Sequence, residues 1–60
     1  MNEIELLLAY PVGSVWRTDI GTTIIVVGYL QPDMLAVRSI KCAAPYHIHY
    51  TALRKEVTPK

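Results

Sequence analysis

Residues 22–30 read TTIIVVGYL. β-Branched side chains keep their preferred conformations on a pleated surface, so this run predicts a long β-strand. The run does not alternate apolar with polar residues, which predicts that both faces of the strand are covered. Gly28 interrupts the run and predicts a bulge or a bend. In a chain of 60 residues, covering both faces of such a strand requires a closed or sharply folded sheet.

Turn signals on either side of this strand predict antiparallel neighbours. Gly21 ends a three-residue turn where a positive φ is needed, which predicts a hairpin with the preceding strand. Pro32 suits the second position of a type I turn and predicts a second hairpin. In the strand that follows, Leu35 and Val37 share the face that we expect to enter the core. The other predicted strands are residues 14–18, 34–40, 46–51 and 56–58, with one helical or 3₁₀ turn at residues 52–55.

A short helix is predicted before the sheet, at residues 3–9. Asn2 can cap it, with Glu5 three residues later. Pro11 ends it, because proline disfavours helical geometry in the preceding residue and has no amide hydrogen to donate. The apolar side chains that helical spacing places on one face are Ile4, Leu7 and Leu8. The apolar run in this segment also permits an edge strand over residues 4–9, so the sequence leaves both structures open.

Length and composition limit the class of protein. Sixty residues allow one domain, and a domain of this size buries only about 60% of the surface that its unfolded chain exposes. The single cysteine, Cys42, cannot form an intrachain disulfide that would supplement the core. The first residues lack the basic start of a signal peptide, and the longest apolar run is far shorter than the roughly 18 residues of a membrane helix. We therefore expect a cytoplasmic protein with no membrane partner.

The net charge is only +1, but the charges are sorted along the chain. Residues 1–37 carry four acidic side chains and one basic side chain, whereas residues 38–60 carry five basic and one acidic. Such a distribution can create a basic surface for an anionic partner. The sorting of a few charges in a short chain also arises without any function.

Four short segments carry a resemblance to a known family. They are GSVWR at residues 13–17, VVG at 26–28, VRS at 37–39 and LRKEV at 53–57. These segments resemble those of small SH3-like β-barrel proteins of bacteriophages and bacteria. The resemblance implies a mainly β fold, namely a small SH3-like barrel of four to five antiparallel strands with a short N-terminal helix and one 3₁₀ turn near the C-terminus. The expected organisation is a single domain over residues 1–60, with a helical segment at 1–10, the barrel at 12–57 and a frayed tail at 58–60.

Cys42, His47 and His49 are the candidates for chemistry. A cysteine thiolate beside a histidine can act as a nucleophile, but no carboxylate stands close in sequence to orient the histidine. The same three side chains could bind a metal, because the two histidines project from one face of a strand, but structural zinc sites normally have four ligands. A small packing cysteine and two solvent-facing histidines account for these residues more simply. We therefore predict no enzyme, no metal site and no cofactor.

We predict a non-catalytic protein–protein interaction module. An incompletely closed barrel leaves a strand edge open to pairing, and 52% hydrophobic residues are more than the interior of a 60-residue chain easily hides. The resemblance to phage proteins implies a modulator or inhibitor of a host protein. The other predicted partner is a second copy of the chain, which would make the protein a homo-oligomer. The predicted contact residues are Leu6, Leu7, Leu8, Tyr29 and Tyr46, since aromatic side chains are enriched at interfaces. In the alternative, Leu7 and Leu8 only cap the open end of the barrel.

Nucleic-acid binding is the alternative function. Small barrels bind single strands by combining a basic groove with aromatic side chains on which the bases stack. A net charge of +1 is small for a protein with that role. The residues predicted for this function are Arg17, Arg38, Lys41, Tyr50, Arg54 and Lys55.

Overall fold

Five antiparallel strands, one helix and one 3₁₀ turn make up the computed structural model, which describes residues 2–57. The elements are α1 (Glu3–Ala9), β1 (Val15–Thr18), β2 (Thr23–Gln31), β3 (Met34–Ser39), β4 (Pro45–His49), the 3₁₀ turn (Tyr50–Ala52) and β5 (Leu53–Val57). The predicted mainly β fold, with a short N-terminal helix and a 3₁₀ turn near the C-terminus, is confirmed. The frayed tail predicted at residues 58–60 lies outside the described residues.

The strands form one open sheet in the order β4-β3-β2-β1-β5, so β4 and β5 are its edges. Neighbouring strands lie about 4.8 Å apart, so the two edges of a flat five-stranded sheet would be separated by about 19 Å. The 3₁₀ turn joins β4 directly to β5, and three residues of such a turn rise only about 6 Å. The sheet must therefore curl until its two edges approach each other at this turn, as in an incompletely closed barrel.

Backbone hydrogen bonds fix the 3₁₀ turn against the two hairpin turns of the sheet. The N–H of Tyr50 donates to the carbonyl oxygen of Asp33, with 3.0 Å between nitrogen and oxygen. The N–H of Asp19 donates to the carbonyl oxygen of Ala52 over 2.9 Å. The connection between the sheet edges is thus tied down at both of its ends.

The predicted position of this turn, at residues 52–55, is wrong. The turn begins two residues earlier because Nδ1 of His49 caps it by accepting the backbone N–H of Thr51, 3.3 Å away. Leu53 is buried and lies opposite Thr18 of β1, so the chain is already extended there. β5 therefore begins at Leu53, three residues before the predicted start.

β2 is the central strand and contributes two fully buried side chains, Ile24 and Val26. Its register with β3 shifts between Val26 and Gly28, which confirms the bulge predicted at Gly28. Beyond the bulge, Tyr29 again packs against the core. The prediction that both faces of this strand are covered is wrong for the outer face, where Val27 is 37% exposed.

Side chains from α1, β2, β3 and β5 form the core on the inner face of the curled sheet. Leu6 is the contribution of the helix and is fully buried. Thr18 is a buried polar residue whose hydroxyl oxygen accepts the N–H of Thr22 over 3.2 Å, which satisfies it. Leu35 and Val37 confirm the predicted inner face of β3. The buried hydrophobic residues are Leu6, Ile24, Val26, Leu35, Val37 and Leu53.

α1 has the predicted bounds and the predicted cap. Oδ1 of Asn2 accepts the backbone N–H of Glu5 over 2.9 Å. The alternative of an edge strand is therefore wrong. The predicted apolar face is also wrong, because the side chains that pack against the core are those of Leu6, Leu7 and Tyr10. These residues are also spaced by three and four, so periodicity alone does not choose between the two faces.

The two hairpin turns differ in how well the sequence predicts them. Gly21 has a φ of 86°, which confirms the positive φ predicted for the first turn. In the second turn Asp33 has a φ of 66°, whereas a type I turn places that residue near −90°. The predicted type I turn is therefore wrong. A positive φ after Pro32 is the geometry of a type II turn, which aspartate tolerates better than most residues.

Candidate binding surfaces

The solvent-facing side of α1 carries two large aliphatic side chains. Ile4 is 72% exposed and Leu8 is 77% exposed. They lie one helical turn apart, so they form a continuous stripe along the helix. Glu5 is exposed and projects beside them, about 60° around the helix from Leu8. We call the surface formed by Ile4, Glu5 and Leu8 the helix surface.

The three leucines predicted to contact a partner have different positions. Leu6 is fully buried, so its prediction as a surface residue is wrong. Leu7 is half-buried and packs against the core. Leu8 lies on the helix surface. Of the two leucines considered for a capping role, Leu7 packs against the core, whereas Leu8 is exposed.

The two tyrosines predicted as further anchors lie on the sheet. Tyr29 is half-buried against the core. Tyr46 lies opposite Val37, which is buried, so both project from the inner face of the sheet, and Tyr46 is 41% exposed at the β4 edge. Tyr46 is thus the more accessible of the two tyrosines.

A chain of ring contacts connects four elements of the fold. The ring centroids of Tyr10 and Trp16 are 4.9 Å apart in a T-shaped pair, and those of Tyr10 and Tyr50 are 6.1 Å apart. The ring of His49 stacks on Tyr50 at 4.9 Å. Because these rings come from the end of α1, from β1, from β4 and from the 3₁₀ turn, they hold the helix in a fixed position on the sheet. Tyr10 was not predicted to have a role, because its only local signal in the sequence is its place before Pro11.

Three cations share the outer face of the sheet. Arg17 on β1 lies opposite Lys55 on β5 and opposite Thr23 on β2. Arg38 on β3 lies opposite Ile25. Directly opposed residues project from the same face, so Arg17, Arg38 and Lys55 lie on the side away from the core. Within residues 2–57 none of the three forms an ion pair.

The residues predicted for nucleic-acid binding do not form one surface. Tyr50 packs against the core side of the sheet, whereas the three cations lie on the outer face. Arg54 is exposed on β5, and Lys41 follows β3 in the chain. The sheet therefore separates the aromatic rings from most of the positive charge.

A cleft of about 300 Å³ lies between the β1–β2 turn and the end of β3. Two exposed side chains flank it, Ile20 with 82% and Ile40 with 52% of its surface accessible. Lys41 also lines it. The remaining lining residues are Gly21, Thr22, Thr23 and Ser39. We call this feature the turn cleft, and its position beside Thr23 makes it a neighbour of Arg17 on the outer face.

The turn cleft was not predicted from the sequence. Ile20 stands in a turn and Ile40 stands just after a strand, so each is an isolated apolar residue in the sequence. The β2–β3 hairpin brings them together, as the hydrogen bond from the N–H of Ile40 to the carbonyl oxygen of Thr23 shows, with 3.4 Å between its atoms. No local signal could have revealed this pairing.

The two edges of the sheet differ in their resistance to further pairing. β5 carries three consecutive charged residues, 54–56, and its register against β1 shifts between Arg17 and Thr18. Charges and irregular register discourage the addition of another strand. β4 contains no lysine, arginine or acidic residue and begins at Pro45. β4 is therefore the edge that is more open to another strand.

Cys42, His47 and His49 do not assemble into a site. No group of three metal-ligating side chains is found among residues 2–57. His47 and His49 lie opposite Ala36 and Met34 on the outer face of the sheet. His49 uses Nδ1 to cap the 3₁₀ turn, where it also lies 2.8 Å from Oγ1 of Thr51. Cys42 is exposed in the loop that precedes β4.

No protein-family model, curated protein or solved structure matches this chain. The relationship to small SH3-like proteins stays a prediction, whereas the strand order and the helix are observed directly. In the part of the chain that the structure describes, no helix has both the length and the apolar character needed to cross a bilayer.

Proposed function

We propose that this chain is a non-catalytic protein-binding module that contacts its partner through the helix surface. The observation that carries the proposal is the exposure of both Ile4 and Leu8 on one side of a helix. Burying one such side chain completely is worth about 1.5–3 kcal/mol. A partner that covers both would therefore gain a substantial part of its affinity from two residues.

The helix surface is held in place before a partner arrives. The opposite side of α1 is fixed to the core by Leu6 and by the ring contacts of Tyr10. Its first turn is capped by Asn2. Binding through a surface that is already ordered avoids the entropy loss that a flexible segment incurs. This arrangement supports a role in recognition for the outward side chains.

A capture experiment with matched variants tests the proposal. The helix variant, Ile4→Gln with Leu8→Gln, keeps good helix-forming residues and removes the apolar stripe. The control, Leu30→Gln, changes an exposed leucine on β2 that lies outside the helix surface. We expect partner proteins cross-linked to the wild type in cell lysate to be retained by the control. The helix variant should lose them by about tenfold or more, which corresponds to about 1.4 kcal/mol.

The outcome that contradicts the proposal is equal recovery of the same partners by the helix variant and the wild type. Circular dichroism spectra and thermal midpoints of all three proteins should agree, since each changed side chain is exposed. A fall in the midpoint of the helix variant alone would instead assign Ile4 and Leu8 to the stability of the fold and count against a recognition role.

Nucleic-acid binding is the second candidate, and the grouping of Arg17, Arg38 and Lys55 on one face supports it. Such a surface would contact phosphates and would weaken steeply as the salt concentration rises. The aromatic rings lie on the other side of the sheet, so base stacking could not accompany those contacts. Fluorescence anisotropy with single-stranded and duplex oligonucleotides distinguishes the candidates. A salt-sensitive signal that Arg17→Gln with Lys55→Gln removes, and that the helix variant retains, would favour nucleic acid.

A further inference from the structure

We propose that the partner of the helix surface is a second copy of this chain, with the helix surface of one copy seated in the turn cleft of the next. This inference rests on the proposed function and identifies the partner. A single copy leaves an apolar acidic helix and an apolar basic cleft uncovered, and this contact would cover both.

The apolar parts of the two surfaces correspond. The helix surface presents Ile4 and Leu8, and the rim of the turn cleft presents Ile20 and Ile40. A volume of about 300 Å³ is at the lower end of the range for binding pockets, which suits the tips of one or two aliphatic side chains. Packing these four side chains together would remove several of the largest exposed apolar groups of the chain from water.

The charges of the two surfaces are complementary. The first 16 residues contain Glu3 and Glu5 and no lysine or arginine. The turn cleft is lined by Lys41, and it is bordered by Arg17 beside Thr23 and by Arg38 next to Ser39. Residues 34–55 contain no acidic side chain. Two acidic side chains oppose this pattern against the three cations, namely Asp19, which precedes Ile20, and Glu56, which lines a neighbouring cleft together with Arg17. Docking would place Glu5 near those cations and would exclude the reversed pairings.

The positions of the two surfaces make the contact head-to-tail. α1 leads into the start of β1 through residues 10–14, whereas the turn cleft lies beyond the end of β1 at Ile20. No residue of α1 lines the cleft, and Ile4 and Leu8 are mostly exposed, so the helix surface of a copy does not occupy its own cleft. Each copy would offer one helix surface and one cleft, and a contact between two different surfaces is heterologous, so it either closes into a ring or continues as a chain.

Sedimentation equilibrium of wild type and variants tests this arrangement. The helix variant loses one half of the contact, and a cleft variant, Ile20→Gln with Ile40→Gln, loses the other half. We expect the wild type to increase in mass above the monomer with concentration, and to return towards monomer at high salt. Each variant alone should remain monomeric. An equal mixture of the two should form a one-to-one dimer and grow no further, because one intact helix surface meets one intact cleft.

Charge exchange gives a second measurement that does not depend on apolar residues. Glu5→Lys and Lys41→Glu should each weaken self-association by about tenfold, which corresponds to about 1.4 kcal/mol. Combining them in one chain should restore part of the loss. Independent losses with no recovery in the double variant would overturn the pairing of these surfaces.

Three results of the sedimentation experiment would overturn the proposal. A wild type that stays monomeric at all concentrations excludes self-assembly, while loss of a captured partner in the helix variant would still support the proposed function. A cleft variant that assembles as well as the wild type excludes the cleft. A mixture of the two variants that stays monomeric excludes the head-to-tail contact.

Discussion

Three consecutive leucines in α1 have three different environments. Leu6 is fully buried, Leu7 is half-buried and Leu8 is mostly exposed. Successive residues of a helix project about 100° apart, so a short amphipathic helix can expose one leucine while it buries its neighbour. The value of each leucine to the protein therefore depends on its angle around the helix.

Matched alanine substitutions separate these roles. Leu6→Ala is expected to lower the free energy of unfolding by about 2–5 kcal/mol, because it removes a buried side chain and leaves a cavity. Leu8→Ala is expected to change it by about 0.5 kcal/mol or less, as for most exposed positions. Chemical denaturation monitored by Trp16 fluorescence measures both. Similar losses in the two variants would show that the exposed side of α1 also contributes to the stability of the monomer.

The sequence predicts the bounds of α1 but not its inward face. Asn2 and Pro11 are strong local signals for the start and end of a helix, and both act within a few residues. The choice of face depends on which side chains fit the core, and that is decided by contacts with β2 and with the ring of Trp16 on β1. Two sets of residues have helical spacing, so the exposed stripe of Ile4 and Leu8 could not be recognised before the fold was known.

In the sheet, too, some features can be predicted from the local sequence, whereas others depend on contacts between residues that are distant in the sequence. β2 and its bulge at Gly28 are predictable from strand propensity and one glycine. The start of β5 is not, because residues 54–56 are charged and only Leu53 enters the core. An edge strand needs a single buried side chain and a partner, and the partner is β1, which is far away in the sequence.

Gly21 in the β1–β2 turn and Gly28 at the bulge of β2 allow a matched test of which position requires glycine. A Cβ added at Gly21 or at Gly28 would meet no atom within 4 Å, so space does not distinguish them. Gly21 has a φ of 86°, and a side chain in that region costs about 1–2 kcal/mol. Gly21→Ala should therefore destabilise the protein by about that amount. Gly28→Ala should be neutral or stabilise it by about 0.4–1 kcal/mol, since alanine restricts the unfolded chain.

Thermal or chemical denaturation of both glycine variants checks this prediction. A loss at Gly28 as large as that at Gly21 would mean that the bulge requires glycine for reasons other than its φ or the space around it. A neutral Gly21→Ala would mean that the β1–β2 turn can change its conformation at little cost, and that the turn cleft beside it is not fixed.

The two faces of the curled sheet carry different kinds of side chain. The inner face holds the core and the aromatic rings, and the outer face holds Arg17, Arg38 and Lys55. The helix surface and the turn cleft are separate features, since no residue of α1 lines the cleft. This sorting is not visible in the sequence, where the same residues alternate along the strands, and it is the reason that we place protein contacts ahead of nucleic-acid contacts.

The most direct measurement of the binding surface is the position of isotope-labelled isoleucine methyl signals in NMR spectra as the protein concentration rises. We predict concentration-dependent shifts at Ile4, Ile20 and Ile40, with Ile24 and Ile25 unchanged as internal controls. If a different protein is the partner, its addition should shift Ile4 while dilution of the chain alone changes nothing. Shifts at Ile48 on the β4 edge with Ile4 unmoved would contradict the account, because they would place the contact on a strand edge and not on the helix surface.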